Sequence, residues 1–166
     1  MFVNNLSVNK IIEVHIEISK GSNIKYEYDH SNNKLKCDRI LHNPLVYQFN
    51  YGYSPNTLSE DNDPIDVLVI TNHRLEPNSY IDCKIVGVLL TEDESGIDNK
   101  IITVPNDNID PYSKYINNID DISTTIKDEI LYFLNHYKDL EYNKWIVVKN
   151  YKDKDTAIEI YNNSKL

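Results

Sequence analysis

Apolar and polar side chains alternate strictly near the start of the chain. Residues 12–18 carry an aliphatic side chain at every second position, namely Ile12, Val14, Ile16 and Ile18. A two-residue period is typical of a β-strand with one buried face, so we expect a half-buried strand here. After a turn at Gly21, residues 24–29 alternate in the same way and predict a second strand. If the two strands pair, one polar face carries Glu17, Lys25 and Glu27.

Shorter apolar runs predict further strands. Residues 35–39 form a brief alternating segment, whereas residues 67–70 are four aliphatic side chains in a row. An unbroken run of this length is typical of a strand that is buried on both faces. Residues 81–90 and 101–104 are predicted to be the arms of a hairpin, and its tip, residues 91–99, is rich in acids.

Helical patterns appear only late in the chain. After a loop-like segment at 105–121, an N-cap at residues 123–125 begins a helix. Its apolar stripe consists of Ile126, Ile130, Phe133, Leu134 and Tyr137. A last strand at 145–148 and a short helix at 156–161 follow. Many strands and few, late helices predict a mainly β fold with flanking helices (α+β), in which the strands close into a barrel.

Composition places the chain among ordinary globular domains. Its 166 residues, 40% apolar and 26% charged, fit a single domain spanning 1–166. The segment Met1–Lys10 has no signal-peptide pattern, and Cys37 and Cys83 suggest neither a disulfide framework nor a zinc site. We therefore expect a cytoplasmic protein that binds no membrane. A net charge of −9 argues against a nucleic-acid partner, because phosphate backbones require clustered Lys and Arg.

The stretch at residues 61–67 holds three carboxylates, Asp61, Asp63 and Asp66, with Pro64 among them. Such close acids repel each other, so they are either exposed to water in a surface turn or held by a cation. The spacing does not fit an EF-hand, and oxygen ligands without His or Cys suit Mg²⁺ or Mn²⁺. An extended backbone would turn the carboxylates of Asp61 and Asp63 to the same side.

Other charged and phenolic side chains occur on the predicted strands and loop tips. The acids are Glu17, Glu27, Asp61, Asp63, Asp66, Asp93 and Asp98. The bases are Lys25, Arg39, Lys100 and Lys138, and the phenols are Tyr47, Tyr51 and Tyr137. This mixture suits a site where acids hold several cations and the other groups bind the oxygens of a highly charged anion.

Residues 61–67, Asp-Asn-Asp-Pro-Ile-Asp-Val, resemble the signature D-x-D-P-x-D-V of the family I soluble inorganic pyrophosphatases. Five more segments resemble that family in order and spacing: residues 24–27, 38–39, 50–53, 93–100 and 136–141. The resemblance covers roughly residues 14–148. It implies an OB-like five-stranded β-barrel and an inorganic diphosphatase, which hydrolyses inorganic diphosphate to two orthophosphates with a metal-activated water and several Mg²⁺ ions, with Mn²⁺ as the alternative.

The same resemblance implies a role for each matched residue. Asp63 is similar to the base that accepts the proton of the water, and Tyr51, Arg39 and Lys25 are the other catalytic residues. The residues that resemble metal ligands are Asp61, Asp66, Asp93, Asp98 and Glu27. Those that resemble substrate-binding groups are Lys25, Arg39, Tyr51, Lys100, Tyr137 and Lys138. Glu17 and Tyr47 resemble supporting residues of the same site.

Some features leave alternatives open. Tyr137 also lies on the helical stripe, so a place in the core is the alternative for it and for Tyr47. Relatives of this length assemble as hexamers, and His136 matches a histidine of the helix that packs subunits. Its counterpart one turn earlier is Tyr132 here, so a homo-oligomer is expected, either a hexamer or a trimer.

Two other functions compete with the diphosphatase. An OB-like module that stacks single-stranded nucleic acid on its tyrosines is one, although the net charge opposes it. A metal-binding domain without catalytic activity is the other. Phosphate release from diphosphate distinguishes both from the enzyme.

Overall fold

Five strands form a closed ring in the computed structural model, which describes residues 8–166. They are β1 (Ile11–Ile18), β4 (Asn50–Tyr53), β5 (Asp66–Val69), β6 (Tyr80–Asp93) and β8 (Lys100–Pro105). Pairing runs from β1 through β4, β5, β8 and β6 back to β1, and only the β5–β8 pair in this ring is parallel. The predicted five-stranded, mainly β architecture is confirmed. Most of Met1–Lys10, where the sequence predicts no signal peptide, lies outside the described residues.

The remaining strands attach to this ring or stand beside it. Strands β2 (Ile24–Asp29) and β3 (Lys34–Ile40) form a separate antiparallel hairpin. Strands β7 (Gly96–Ile97) and β9 (Ile146–Lys152) pair with β6. Strand β1 pairs with β4 and β6 and not with β2, so the condition under which Glu17, Lys25 and Glu27 would share one polar face is not met, although all three line the same cavity.

Two α-helices lie late in the chain, as the sequence predicts. Helix α1 (Thr124–His136) begins after Ser123, whose hydroxyl accepts a hydrogen bond from the Ile126 N–H at 3.3 Å. Helix α2 (Lys154–Ser164) begins after Asp153, whose carboxylate accepts from the Thr156 N–H at 2.9 Å. The segment predicted as a loop contains two 3₁₀ turns, at Pro111–Tyr115 and Ile119–Asp121. Among residues 8–166, no helix combines the length and apolar character needed to cross a membrane.

The core covers both faces of the sheet. Val67 and Val69 pack in one apolar cluster with Ala157 of α2, while Leu68 between them packs in the other cluster with Phe133 of α1. Successive strand residues point to opposite faces, so an unbroken aliphatic run is what a strand covered on both sides requires.

Because of a β-bulge in β1, the side chains of this strand do not pack as the alternation of its sequence predicts. Ile16 pairs with Gly52 but Ile18 pairs with Tyr51, which leaves Glu17 as an extra residue. Ile18 therefore packs in the cluster of α1, whereas Ile16 packs in that of α2, and the prediction that both share one face is wrong. The strand is also not half-buried, because Glu17 on its polar face is buried as well. Bulges re-aim side chains beside functional sites.

A buried lysine fixes the long segment between β8 and α1. Lys84 of β6 is 1% exposed. Its Nζ donates hydrogen bonds to Asp107 Oδ1 at 2.7 Å, to the Ser113 carbonyl at 2.9 Å and to Asn117 Oδ1 at 2.9 Å. All three donors of the ammonium group are therefore used, and this lysine has a structural role.

Candidate active site

A cavity of about 380 Å³ gathers side chains from eight separate parts of the fold. Its walls come from β1, the β2–β3 hairpin, β4, the turn before β5, β5 itself, the β6–β7 tip, β8 and the end of α1. The predicted site residues that line it are Glu17, Lys25, Glu27, Arg39, Tyr51, Asp61, Asp63, Asp66, Asp93, Asp98, Lys100, Tyr137 and Lys138. Residues far apart in sequence thus converge in space.

The acidic stretch forms a tight turn at the cavity wall. Asp61 Oδ1 accepts a hydrogen bond from the Asp63 N–H at 3.0 Å, and Asn62 between them has a φ of 68°. The Ser59 N–H donates to the Asp63 carbonyl at 2.7 Å and closes the turn. The backbone is therefore a turn and not the extended segment considered above, since Asn in the left-handed region is typical of turns. Both carboxylates nevertheless line the cavity.

Lys100 lies at the centre of the site and is 2% exposed. Its Nζ donates hydrogen bonds to Tyr51 Oη at 3.0 Å, to Asp66 Oδ2 at 3.0 Å and to Asp98 Oδ2 at 2.9 Å. Burial acts to lower the pKa of Lys100, but Asp66, Tyr51 and Asp98 outweigh it and raise that pKa well above its usual range. The ammonium group stays charged and holds two carboxylates together.

Several acids of the cavity bind protons more tightly than free carboxyls do. Burial, followed by the charge of Asp66, raises the pKa of Asp98 to about 6. Burial also raises the pKa of Asp61 to about 6, and that of Glu17 to about 8 although the Tyr28 N–H donates to its Oε2 at 2.7 Å. Ionised carboxylates are therefore disfavoured here unless further positive charge enters the cavity.

The β2–β3 hairpin supplies two basic side chains of the cavity, Lys25 and Arg39. Lys25 forms an ion pair with Glu27, and its Nζ lies 3.8 Å from Asp38 Oδ2. Arg39 Nη1 donates to the same oxygen of Asp38 at 2.5 Å. A bulge at Asp38, where Lys25 pairs with Arg39 but Tyr26 pairs with Cys37, brings these groups to one edge.

The end of α1 and the turn after it supply two more basic side chains, Lys138 and Lys144. Lys138 Nζ lies 3.5 Å from Asp93 Oδ2 and 3.5 Å from Glu94 Oε1. Lys144 Nζ also lies 3.5 Å from Glu94 Oε1. Acids and bases are thus paired in both places, and such a mixture accommodates both metal ions and phosphate oxygens.

Tyr137 and Tyr47, for which a place in the core was the alternative to a place in the site, differ in position. Tyr137 is 7% exposed and stacks on Phe133 with ring centroids 5.1 Å apart, yet it also lines the cavity. It belongs to both the core and the site. Tyr47 packs against Phe133 at 4.6 Å and lies 6.0 Å from Tyr51, and it is not among the lining residues.

Sequence reasoning missed several residues of the cavity wall. Tyr53 follows Tyr51 by two positions on β4, and this spacing was a usable signal that both point to one side. His30 lies in the turn of the hairpin with its ring 5.2 Å from that of Tyr53. Lys144 and Glu94 also line the wall. Glu94 belongs to the acid-rich tip at 91–99, whereas nothing in the local sequence marks His30 or Lys144, because only tertiary contacts bring these two to the cavity.

The donors in the cavity suit a hard divalent cation. Carboxylate oxygens outnumber all other potential ligands there, and His30 is the only lining imidazole in the part of the chain that is described. Mg²⁺ and Mn²⁺ prefer oxygen ligands. Among residues 8–166 no three acidic, histidine or cysteine side chains converge closely enough to enclose an ion as they stand. Lys100 already lies between Asp66 and Asp98, which marks a position where the fold stabilises positive charge.

Comparisons with known proteins give one consistent result. The family model for inorganic pyrophosphatase matches residues 14–165. The inorganic pyrophosphatase of Helicobacter pylori is 48% identical over 147 residues, which cover 89% of this chain and 85% of that protein. The one from Nanoarchaeum equitans is 50% identical over 145 residues, covering 87% of this chain and 89% of that protein.

Solved structures agree with the sequences. The solved structure of the Helicobacter pylori inorganic pyrophosphatase superposes with a TM-score of 0.90 at 43% identity, over 99% of this chain and 95% of that one. The pyrophosphatase of Coxiella burnetii superposes with a TM-score of 0.91 at 38% identity, over 93% of each chain.

Proposed function

The chain belongs to the inorganic pyrophosphatase family and is an inorganic diphosphatase, and from this premise we propose that the cavity around Lys100 is its active site. Family membership decides against the two competing functions, a nucleic-acid module and a catalytically silent metal-binding domain. The observation that carries the proposal is the convergence of acids, bases and phenols from eight parts of the fold on one cavity.

Positive and phenolic groups would bind the diphosphate. Arg39 and Lys25 approach from the hairpin, and Lys138 approaches from the end of α1. Lys100 and Tyr51 form the floor, where the phenol accepts a hydrogen bond from the ammonium at 3.0 Å. Guanidinium and ammonium groups bind phosphate oxygens through charge-assisted hydrogen bonds, and a fixed arrangement of such donors stabilises the charge that develops on the leaving phosphate.

The acids would hold the metal ions that the family requires. We assign Asp61, Asp66, Asp93, Asp98 and Glu27 as the ligands and Mg²⁺ as the ion, with Mn²⁺ as the alternative, because these side chains offer only oxygen donors. When bound, such ions supply a water molecule of lowered pKa and neutralise phosphate charge.

Asp63 would take the proton of the attacking water. Its side chain lines the cavity beside Asp61, while its backbone N–H is held by the Asp61 carboxylate. Burial, followed by the negative charges of Glu27 and Asp98, raises the pKa of Asp63. Asp61 and Asp98 share this shift, so the assignment of Asp63 as general base is supported by its place at the cavity wall beside Asp61.

Substitution of this base tests the proposal. In the Asp63→Ala variant we expect kcat for phosphate release from diphosphate to fall about 10²–10⁴-fold, the usual contribution of a general base. Glu60→Ala is the matched control, because Glu60 is an exposed acid of the same turn outside the cavity. Unchanged kcat in Asp63→Ala, or an equal loss in both variants, would contradict the assignment.

Assembly into a homo-oligomer, a hexamer or a trimer, is also proposed. The exposed face of α1 carries Tyr132, which is 61% exposed and contacts the His136 ring at 4.4 Å. An exposed aromatic pair on a helix face supports contact with another copy of the chain. Sedimentation equilibrium at micromolar concentration tests this, and a monomer throughout would refute it.

A cytoplasmic location is proposed on the state of the two cysteines. Cys37 is exposed and Cys83 is buried, and neither forms a disulfide. Free exposed thiols are typical of reducing compartments. Fractionation of the source cells followed by detection of the protein tests this assignment.

A further inference from the structure

Glu141 is a buried acid that the site described above does not use. The residue lies in the turn after α1, where its N–H donates to the Lys138 carbonyl at 2.9 Å. Its side chain is only 4% exposed and does not line the cavity. Oε1 lies 2.6 Å from Arg39 Nε, while Oε2 has no hydrogen-bond partner among the described residues.

A gain in stability does not explain why the Glu141 carboxylate is buried beside Arg39. A buried carboxylate oxygen without a partner costs about 1–3 kcal/mol or more, and a buried ion pair often contributes less than a packed apolar pair of the same volume. The Arg39–Glu141 contact is also imperfect, since the Nε–H does not point along the line to the carboxylate. The contact is therefore better explained by what it does to Arg39.

Arg39 is held from two sides. Glu141 meets its Nε from the protein interior, and Asp38 accepts a hydrogen bond from Nη1 on the outer side. Burial acts to lower the pKa of Arg39, and the charges of Glu141 and Asp38 more than offset it. A guanidinium carries five N–H donors in a rigid plane, so the ion pair at Nε and the hydrogen bond from Nη1 together restrict the direction of the remaining donors.

We propose that Glu141 is a positioning residue, which orients the guanidinium of Arg39 so that its remaining N–H groups point at the phosphate oxygens of the substrate. The proposal rests on the assignment of Arg39 to substrate binding. The turn that carries Glu141 also carries Lys138, which lines the cavity. Through its contact with Arg39, the Glu141 carboxylate connects the hairpin with the end of α1. A second contact joins the same region, since Asn43 Nδ2 donates to the Tyr137 carbonyl at 2.9 Å.

Replacement of the acid by its amide is the direct test. Glu141→Gln keeps the side-chain shape but removes the charge, and we expect kcat/KM for diphosphate to fall about 10–100-fold, as for other residues that orient a binding group. Glu141→Asp keeps the charge and should retain more activity than Glu141→Gln. Asp139→Asn is the control, because Asp139 belongs to the same turn but is exposed and bonds His136 at 2.8 Å.

A double substitution separates positioning from a structural role. Arg39→Lys should lower kcat/KM about 10²–10³-fold, and adding Glu141→Gln should lower it less than about twofold further, since lysine has no Nε to orient. Multiplied losses in the double variant, or wild-type kcat/KM in Glu141→Gln, would overturn the inference. Wild-type kcat/KM in Arg39→Lys would instead refute the role of Arg39 in the proposed function. Melting temperatures of all variants identify any loss of folding.

Discussion

Replacement of Lys100 by methionine is the most informative perturbation of this site. Methionine keeps the length and the apolar stem of lysine but removes the charge and three hydrogen bonds, to Tyr51, Asp66 and Asp98. Asp66 and Asp98 each place an oxygen within 3.0 Å of Nζ, so the substitution leaves two neighbouring carboxylates with no cation between them. The control is Lys84→Met, which removes an equally buried lysine from the structural contacts beside β6.

The magnitude follows from the geometry. At about 3 Å and an effective dielectric constant near 20, each ammonium–carboxylate contact is worth about 5 kcal/mol before desolvation is subtracted. Removing one partner of a buried ion pair costs about 3–5 kcal/mol net, so we expect Lys100→Met to lower the free energy of unfolding by that amount without metal. A cation that binds only the folded state adds about 2.7 kcal/mol at a hundred times its Kd, and Mg²⁺ should therefore restore much of the loss.

Two assays separate the variants. Urea unfolding with and without Mg²⁺ should show that both substitutions are destabilising, but that Mg²⁺ stabilises Lys100→Met more than it stabilises Lys84→Met. Phosphate release should show kcat/KM about 10²–10³-fold lower in Lys100→Met and close to wild type in Lys84→Met. Similar activity in the two variants, or no difference in the Mg²⁺ response, would refute this electrostatic role of Lys100.

Three further outcomes follow from the fold. Gly52→Ala should lower the free energy of unfolding by about 3 kcal/mol, measured by urea titration, because a Cβ there overlaps the His15 carbonyl of the neighbouring strand. A thiol reagent at neutral pH should modify Cys37 quickly and Cys83 only after unfolding, because burial raises the pKa of Cys83 to about 12. Without metal, the carboxyl of Glu17 favours folding while protonated, and this contribution is complete below the usual pKa near 4.5 and is lost as the pH rises through about 8. Urea unfolding between pH 5 and pH 8.5 should therefore show a smaller decline in Glu17→Gln than in wild type.

Local patterns predicted the elements better than their pairing. The aliphatic run at 67–70 was predicted as a fully buried strand because its composition reflects contacts on both faces. Strand β5, with Leu68 in one cluster and Val67 in the other, confirms this for residues 67–69, whereas Ile70 follows the strand and is partly buried. The alternation of 12–18 could not reveal the bulge at Glu17, since register depends on the partner strands β4 and β6, which lie far away in sequence. For the same reason the pairing of β1 with β2 was not excluded.

The residues of the site also differ in how far the sequence could predict them. The turn at 61–67 and the acids of the β6–β7 tip are marked by clustered charge, and the resemblance to a known family supplied their common location. Glu141 ends the segment 136–141 that resembles the family, but the sequence gave it no role, because a glutamate after a helix is ordinarily solvated and only the packing of the turn against Arg39 buries it. His30 and Lys144 likewise reach the cavity through tertiary structure alone.

We propose that divalent cations, rather than solvent, neutralise the acids gathered around Lys100. A crystal structure of the protein with Mg²⁺ and phosphate tests this most directly. We expect ions bonded to carboxylate oxygens of Asp61, Asp66 and Asp98, with phosphate contacted by Arg39 and Lys138. An active protein whose ions lie outside this cavity, or whose acids contact only water, would contradict it.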